Sequence, residues 1–217
     1  MSAPAGSPGT GPAVAGLLLA AGGGRRLGGR PKALLPAGPA GRPLVERAAG
    51  VLRAAGCAPV HVVLGAAEEA VRAGAWLAGC VAVSNPDWES GMGSSLRAGL
   101  ASLEPTTAAA AVVLLVDQPR VGPAAVARVV DAYAAGGAGL AAATYGGVRG
   151  HPVLLGRPRW PEVAAGATGD RGARDVLARA ARRGELALVE CGDVAAPDDV
   201  DTPADLALLD EPRAGWH

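Results

Sequence analysis

The stretch that decides the fold is GLLLAAGGGRRLGGRPKALLP, residues 16–36. An apolar run typical of a buried strand leads into a turn in which five of the eight residues 22–29 are glycine. A turn between two ordinary elements needs only one or two glycines. Unobstructed backbone N–H groups beside several cations suit a polyphosphate, whereas the alternative is a solvated basic loop without a ligand. The cations are Arg25, Arg26, Arg30 and Lys32.

Two common phosphate-binding fingerprints do not fit this loop. The dinucleotide pattern G-x-G-x-x-G requires a third glycine where Leu27 stands. The P-loop pattern G-x-x-x-x-G-K-[ST] has its spacing in Gly24 and Gly29, but Arg30 and Pro31 follow. The loop therefore predicts phosphate binding without belonging to either class.

Composition narrows the class of protein. The chain has 217 residues, half of them hydrophobic, which suits one large domain or two small ones. Twenty cations balance twenty acids, which argues against a nucleic-acid-binding surface covering the protein. The three cysteines and three histidines lack the spacing of a disulfide framework or a zinc site.

The N-terminal apolar run 14–21 is not typical of a signal peptide, because no Lys or Arg precedes it. No apolar run approaches the ~20 residues of a membrane span. The sequence predicts a cytoplasmic protein without membrane or nucleic-acid partners. We expect a flexible tail over residues 1–13, one folded domain over 14–210 and a C-terminal tail over 211–217.

Short apolar runs alternate with helical patterns along the first two thirds of the chain. The runs are continuous rather than alternating, as expected for strands covered on both faces, and the β-α-β order favours a parallel, doubly wound α/β sheet. After residue 138 a Gly turn between two strands predicts a small antiparallel extension, and a short helix is expected to start at Thr202 and Pro203. The predicted strands are 14–20, 59–65, 80–85 and 110–117, and the predicted helices 43–55, 67–77, 92–102 and 123–135.

The glycine loop resembles the signature L-A-A-G-x-[GS]-x-R-[ML]-G-x-P-K-x-L-L of the MobA-like NTP transferase family, and most closely its molybdenum-cofactor cytidylyltransferase branch. Alignment makes Arg26 the signature arginine and Lys32 the signature lysine, although GGRPK is one residue longer than the usual spacer. The resemblance runs from about residue 14 to 209. Later motifs follow in the family's order: NPDWESGMGSSLRAGL, LLVDQP, RGHPVLL, GDRGARDVL and DVDTPADL.

The resemblance implies a single-domain, Rossmann-like nucleotidyltransferase that uses Mg²⁺ to transfer CMP from CTP to the phosphate of molybdopterin, releasing pyrophosphate. A molybdenum hydroxylase or its maturation chaperone would receive the product. The implied catalytic residues are Arg26, Lys32 and Asp117, and the implied metal ligands are Asp117 and Asp201. The implied nucleotide-binding residues are Leu19, Ala20, Ala21, Gly22, Gly23, Gly24, Gly91, Ser94 and Ser95. The implied acceptor-binding residues are Gln118, Pro119, His151, Pro152, Asp170 and Arg174.

Physical reasons accompany some of these assignments. Asp117 follows a long apolar run at a strand end, where ligands bind in open α/β sheets and where a carboxylate needs a partner. A turn or helix cap is the alternative for Asp117, and only the resemblance raises Asp201 above Asp198 and Asp199, which could form a solvated acidic turn. Ser94 is expected to cap a helix.

The acceptor chemistry needs no general base, because a phosphomonoester with a second pKa of about 6 is largely dianionic at neutral pH. We expect His151 to position the acceptor without transferring a proton. Two alternatives stay open: a related transferase that uses GTP or a sugar-phosphate acceptor, and a non-catalytic nucleotide- or cofactor-binding maturation protein. The joint presence of Arg26, Lys32, Asp117 and Asp201 favours an enzyme.

Overall fold

The computed structural model describes residues 12–136 and 139–209. Of the predicted tails, only residues 12 and 13 fall within this part. The strands are β1 (Val14–Leu19), β2 (Pro36–Ala37), β3 (Arg42–Pro43), β4 (Val60–Leu64), β5 (Cys80–Ser84), β6 (Ala110–Leu115), β7 (Leu140–Tyr145), β8 (Val148–Gly156) and β9 (Ala187–Glu190). The α-helices are α1 (Leu44–Ala54), α2 (Glu68–Gly74), α3 (Met92–Leu103), α4 (Pro123–Gly136), α5 (Trp160–Gly166) and α6 (Arg174–Arg182).

Seven strands form one sheet in the order β5-β4-β1-β6-β8-β7-β9. Every neighbouring pair is parallel except those of β8, which runs antiparallel to both β6 and β7. The mostly parallel sheet with an antiparallel part is thereby confirmed. The two-stranded β2–β3 ribbon was not predicted, since each strand has two residues, too few to show a periodicity.

Helices cover both faces of the sheet, as the continuous apolar runs predicted. Along β1, Leu18 points into a core formed with α1 and α4, whereas Leu17 and Leu19 point into a second core formed with α3, α5 and α6. Gly16 allows α1 to pack closely, because a Cβ there would lie 3.1 Å from Leu52. Two packed cores on opposite faces fix the sheet as a rigid platform.

The ends of β1, β4 and β6 lie at one edge of the sheet, because these strands are parallel neighbours. The segments that follow them, which include the glycine loop and Asp117, therefore meet at that edge. The short C-terminal helix predicted at residue 203 is a 3-10 helix over Pro203–Leu209. Within the described ranges, the structure contains no helix with the length and apolar character of a membrane span.

Candidate active site

The glycine loop folds back on itself after β1. The Leu27 and Gly29 N–H groups both donate to the Gly24 carbonyl, at 2.9 and 3.2 Å. Gly24 has φ 59°, and a Cβ there would lie 2.0 Å from the Arg30 carbonyl oxygen, so only glycine fits. Gly28 and Gly29 are also left-handed, with φ of 71° and 78°. The one extra residue relative to the family signature falls in this stretch, between Gly28 and Pro31.

Lys32 joins two carboxylates that are far apart in the chain. Its Nζ donates to Asp117 Oδ2 at 2.7 Å and to Asp201 Oδ1 at 2.5 Å, and Arg26 Nη1 lies 3.3 Å from Asp201 Oδ2. Burial lowers the pKa of Lys32, but the charges and hydrogen bonds of both aspartates outweigh it and leave the pKa raised. Lys32 therefore stays cationic at neutral pH. The structure thus brings together the four side chains that the sequence placed at the catalytic centre.

Asp201 is the last residue of segment 196–201, which has no regular secondary structure and is here called the C-terminal strap. The Val200 N–H donates to the Asp117 carbonyl at 2.9 Å, and the Ala196 N–H donates to the Arg120 carbonyl at 3.3 Å. Backbone hydrogen bonds therefore hold the strap alongside the loop after β6, and these bonds do not depend on the strap's side chains.

Side chains reinforce the strap. Gln118 Nε2 donates to Asp199 Oδ1 at 2.9 Å, and Arg120 Nη1 lies 3.2 Å from Asp198 Oδ2. Partial burial raises the pKa of Asp199, the Gln118 hydrogen bond opposes this, and the Asp117 and Asp201 charges add to the rise. Asp199 is exposed and Asp198 half-buried, as a solvated acidic turn would be, but both also bind side chains of the loop after β6.

A first cleft of about 360 Å³ opens between the glycine loop, the end of β6 and the start of α3. Six of the predicted nucleotide-binding residues line it: Leu19, Ala21, Gly22, Gly23, Gly91 and Ser95. Lys32 and Asp117 line it too. Ala20 and Ser94 are buried behind it, and Gly24 instead shapes the loop from within. Sequence reasoning missed Trp88, Glu89 and Met92, which complete much of the remaining wall.

The start of α3 carries no side-chain cap. Its N-cap residue is Gly91, and Ser94 Oγ donates to the carbonyls of Asp87 and Gly91, both at 2.9 Å. The expected capping by Ser94 is wrong, because its hydroxyl binds carbonyl rather than N–H groups. Buried Asn85 donates to the hydroxyls of Ser94 and Ser95 at 2.9 and 3.0 Å, which holds Ser95 at the cleft.

A second cleft of about 350 Å³ adjoins the first, and the two share Leu19, Met92, Leu115 and Asp170 as common wall. Four predicted acceptor-binding residues line it: Gln118, His151, Asp170 and Arg174. Pro119 and Pro152 do not line either cleft. Arg149 and Arg171, which sequence reasoning did not single out, join Arg174 to give this cleft three guanidinium groups. Asp170 and Asp199 also line the cleft, so the cations exceed the carboxylates by one, and this lining suits an anionic substrate.

His151 is neutral at physiological pH. Burial lowers its pKa to about 4, although the Asp117 charge opposes the shift. Its backbone carbonyl accepts a hydrogen bond of 2.6 Å from the Tyr145 hydroxyl, which ties β8 to the end of β7. The imidazole can therefore offer hydrogen bonds to a ligand without adding positive charge.

Asp117 and Asp201 fit a divalent cation, because they already share one cation, the Lys32 ammonium, at 2.7 and 2.5 Å. Their donor set consists of carboxylate oxygens, which suits hard ions such as Mg²⁺ and Mn²⁺. Among residues 12–136 and 139–209, no three His, Cys, Asp or Glu side chains form a complete metal cage. Two carboxylates suffice for Mg²⁺ when substrate phosphates and water supply its other ligands.

Comparison with known proteins places this site in a family. Residues 16–185 match the family model described as the MobA-like NTP transferase domain, and the chain belongs to that family. It is a nucleotidyltransferase with the fold that the glycine loop and sheet define. A nucleotidyl transferase from Methanothermobacter thermautotroptrophicus shares that fold, with a TM-score of 0.71 at 22% identity over 93% of this chain and 97% of its own.

Two relatives are more similar in sequence. Nicotine blue oxidoreductase from Paenarthrobacter nicotinovorans is 41% identical over 198 residues, which cover 88% of this chain and 93% of that protein. Rv0371c from Mycobacterium tuberculosis H37Rv is 32% identical, with a TM-score of 0.75 over 92% of this chain and 98% of its own. A further Rv0371c structure, with a TM-score of 0.72, is a complex with manganese; it is 31% identical over 91% of this chain and 97% of its own.

Proposed function

We propose that the protein transfers CMP from CTP to the phosphate of molybdopterin or the molybdenum cofactor, with Mg²⁺ as the metal and pyrophosphate as the second product. The observation that supports this best is the pair of adjoining clefts. One joins the glycine loop to Lys32 and Asp117, and the other carries three arginines. A transferase needs two such neighbouring sites, one for each anionic substrate.

In the proposed reaction, an oxygen of the acceptor phosphate attacks the α-phosphorus of CTP. The new P–O bond forms as the bond between the α-phosphorus and the bridging oxygen breaks, and pyrophosphate leaves with the electron pair. The acceptor is already largely dianionic at neutral pH, so no side chain must remove a proton. This agrees with a neutral His151, which would orient the acceptor.

Catalysis in this proposal is mostly positioning and charge stabilisation. Lys32 offsets the two aspartates, so an anionic triphosphate meets less repulsion at this end of the cleft. Arg26 is largely exposed beside Asp201 and can turn toward the leaving pyrophosphate. Asp117 and Asp201 would hold Mg²⁺, which when bound neutralises charge on the phosphates.

Preference for CTP is proposed from Ala21. This residue lines the first cleft, and its methyl group would narrow the space beside a nucleobase bound there. A pyrimidine tolerates a narrow pocket better than a purine, and one methyl group is worth roughly 10–200-fold in discrimination. We expect Ala21→Gly to narrow the gap between CTP and GTP without inverting it, measured as kcat/KM with the same acceptor. A preference for GTP in the unchanged protein would contradict the cytidylyl assignment.

The test of the proposed function is pyrophosphate release with each nucleoside triphosphate plus molybdopterin and Mg²⁺. We expect release with CTP and formation of the corresponding dinucleotide. Turnover with GTP, or with a sugar phosphate in place of molybdopterin, would support the related-transferase alternative. Binding of nucleotide without turnover on any acceptor would support the non-catalytic maturation protein.

The proposal also includes a cytoplasmic location and transfer of the product to a molybdenum hydroxylase or its chaperone. These two parts rest on the sequence.

An oxidoreductase is the second candidate, because the 41% identical relative is named nicotine blue oxidoreductase. The glycine loop argues against binding of a nicotinamide dinucleotide, since Leu27 stands where that fingerprint has its third glycine. Anaerobic incubation with nicotine blue and NADH or NADPH separates the two functions. Bleaching of the dye at catalytic protein concentration, without pyrophosphate release in the first assay, would favour the oxidoreductase.

A further inference from the structure

Two glycines leave the space that Trp88 occupies in the wall of the first cleft. It begins a short 3-10 turn, Trp88–Ser90, directly before α3. A Cβ at Gly65 would lie 2.6 Å from Trp88 Cβ and 2.8 Å from Ala21 Cβ. A Cβ at Gly23 would lie 3.3 Å from Trp88 Cη2 and Cζ3. The indole therefore spans from the end of β4 to the glycine loop, and its outer ring lies against that loop.

The surroundings of Trp88 distinguish it from a core tryptophan. It is half-buried and is the one aromatic side chain among the described residues that line the first cleft. Trp160, by comparison, is 4% exposed and its Nε1 donates to the Leu155 carbonyl. Trp88 and Ala21, the residue proposed to lie beside the nucleobase, both lie close to Gly65.

We propose that the Trp88 indole is the stacking platform for the nucleobase of the donor nucleotide. This inference rests on the proposed function, because it requires a nucleoside triphosphate in the first cleft. Stacking on an aromatic ring is tolerant of base identity, since every base has a π-face. Trp88 therefore sets affinity for the nucleoside part of the donor, while Ala21 discriminates between bases.

Calorimetric titration of the full chain with CTP and with inorganic tripolyphosphate, both with Mg²⁺, tests the platform. Tripolyphosphate carries the phosphates without the base. We expect Trp88→Ala to weaken CTP binding about 5- to 150-fold and to leave tripolyphosphate binding unchanged, as loss of base stacking alone would do. Trp88→Phe keeps a π-face, and we expect it to bind CTP within about threefold of the unchanged protein.

Tryptophan fluorescence provides a second readout. We expect CTP to quench the emission of the unchanged protein, Trp88→Phe to remove that quenching, and Trp76→Phe to retain it. Trp76 is 70% exposed and does not line the first cleft, so it is the matched control.

The outcomes separate this inference from the proposed function. If the unchanged protein binds CTP and Trp88→Ala binds it equally well, Trp88 does not stack on the nucleobase, although the first cleft still binds the nucleotide. If Trp88→Ala loses tripolyphosphate affinity to the same extent, Trp88 supports the glycine loop rather than the base, and the inference is again wrong. If the unchanged protein binds tripolyphosphate but gains nothing from the nucleoside of CTP, both the platform and the proposed donor are wrong.

Discussion

At the residue scale, the site depends on one lysine with two acidic partners. Lys32 is 13% exposed and bonds to Asp117 and Asp201, whereas Arg30, two residues earlier, is exposed. The extra residue in GGRPK made either cation a possible equivalent of the signature lysine. The contacts of Lys32 favour the alignment that gives it this role.

We predict that Lys32→Ala lowers turnover at least ~10²-fold, as loss of one preorganised charge does in other active sites. Arg30→Ala is the matched control and should change turnover less than about threefold, because an exposed cation is screened by solvent. Steady-state pyrophosphate release with CTP measures both. If Arg30→Ala lost most of its turnover while Lys32→Ala kept it, the alignment across the loop would be shifted.

Asp117 supports a second prediction at this scale. We expect Asp117→Asn to lower turnover at least ~10²-fold and to raise the Mg²⁺ concentration needed for half-maximal activity, because the neutral amide is a weaker ligand. The fold should persist, since the backbone carbonyl of Asp117 still accepts from Val200.

The control for Asp117→Asn is Asp198→Asn, which changes a carboxylate of the C-terminal strap that contacts Arg120 instead of Lys32. It should leave the Mg²⁺ dependence unchanged. Near-normal turnover and Mg²⁺ dependence in Asp117→Asn would remove Asp117 from the metal site.

At the element scale, backbone contacts shape the wall between the clefts. A Cβ at Gly91 would lie 2.5 Å from the Gly169 carbonyl carbon, and one at Gly93 would lie 2.7 Å from that of Ala167. The loop before α6 therefore packs directly on the first turn of α3. Asp170, in this loop, consequently lies between the two clefts.

The turn between β7 and β8 is held by one carboxylate at the end of β9. Glu190 accepts hydrogen bonds from the N–H groups of Gly146, Gly147 and Gly192 and from the Thr144 hydroxyl. The backbone bonds of Gly146 and Gly192 and the Thr144 hydroxyl lower the pKa of Glu190. This turn leads into β8, which carries Arg149 and His151 to the second cleft.

We predict that Glu190→Gln lowers the free energy of unfolding at pH 7 and that this difference shrinks at acidic pH. A lowered folded-state pKa means that the unfolded state binds the proton more readily. The stabilisation is therefore full above the ordinary pKa of 4.5 and is lost as pH falls through the lowered folded-state value. Urea unfolding of both proteins at pH 7 and pH 3 measures the difference.

Glu104→Gln, at an exposed carboxylate after α3, is the control for Glu190→Gln and should show no pH-dependent loss of this kind. An equal loss for Glu190→Gln at both pH values would mean that the carboxylate charge does not contribute, and that shape alone holds the turn.

At the scale of the whole molecule, the two clefts lie where parallel strands end at one edge of a sheet packed on both faces. Ligands at such an edge contact loops while the strands stay fixed. Donor and metal binding should therefore stabilise the native state without changing the fold.

We predict that CTP with Mg²⁺, at about one hundred times its dissociation constant, stabilises the protein by about 2.7 kcal/mol. For a chain of this size the melting temperature should rise by about 5–10 °C. Thermal unfolding with and without EDTA measures this, and EDTA should remove most of the shift. A shift that persists in EDTA and in Asp117→Asn would contradict a metal held between Asp117 and Asp201.

The sequence by itself determined the fold class, the strands and helices near their observed bounds, and the family. These are local properties: an apolar run, a helical period and a glycine-rich turn are each readable within about twenty residues. Many of the residues that line the two clefts were also singled out from the family motifs, whereas Trp88, Arg149 and Arg171 were not.

Only the tertiary structure decided how those residues meet. Lys32 contacts partners 85 and 169 residues away, and no local pattern records such a distance. The place of β8 between β6 and β7, the binding of Asp198 and Asp199 to the loop after β6, and the contact of Trp88 with Gly65 and Gly23 are equally non-local. They follow from the packing of segments distant in the chain, where the choice of partner depends on the whole core rather than on neighbouring residues.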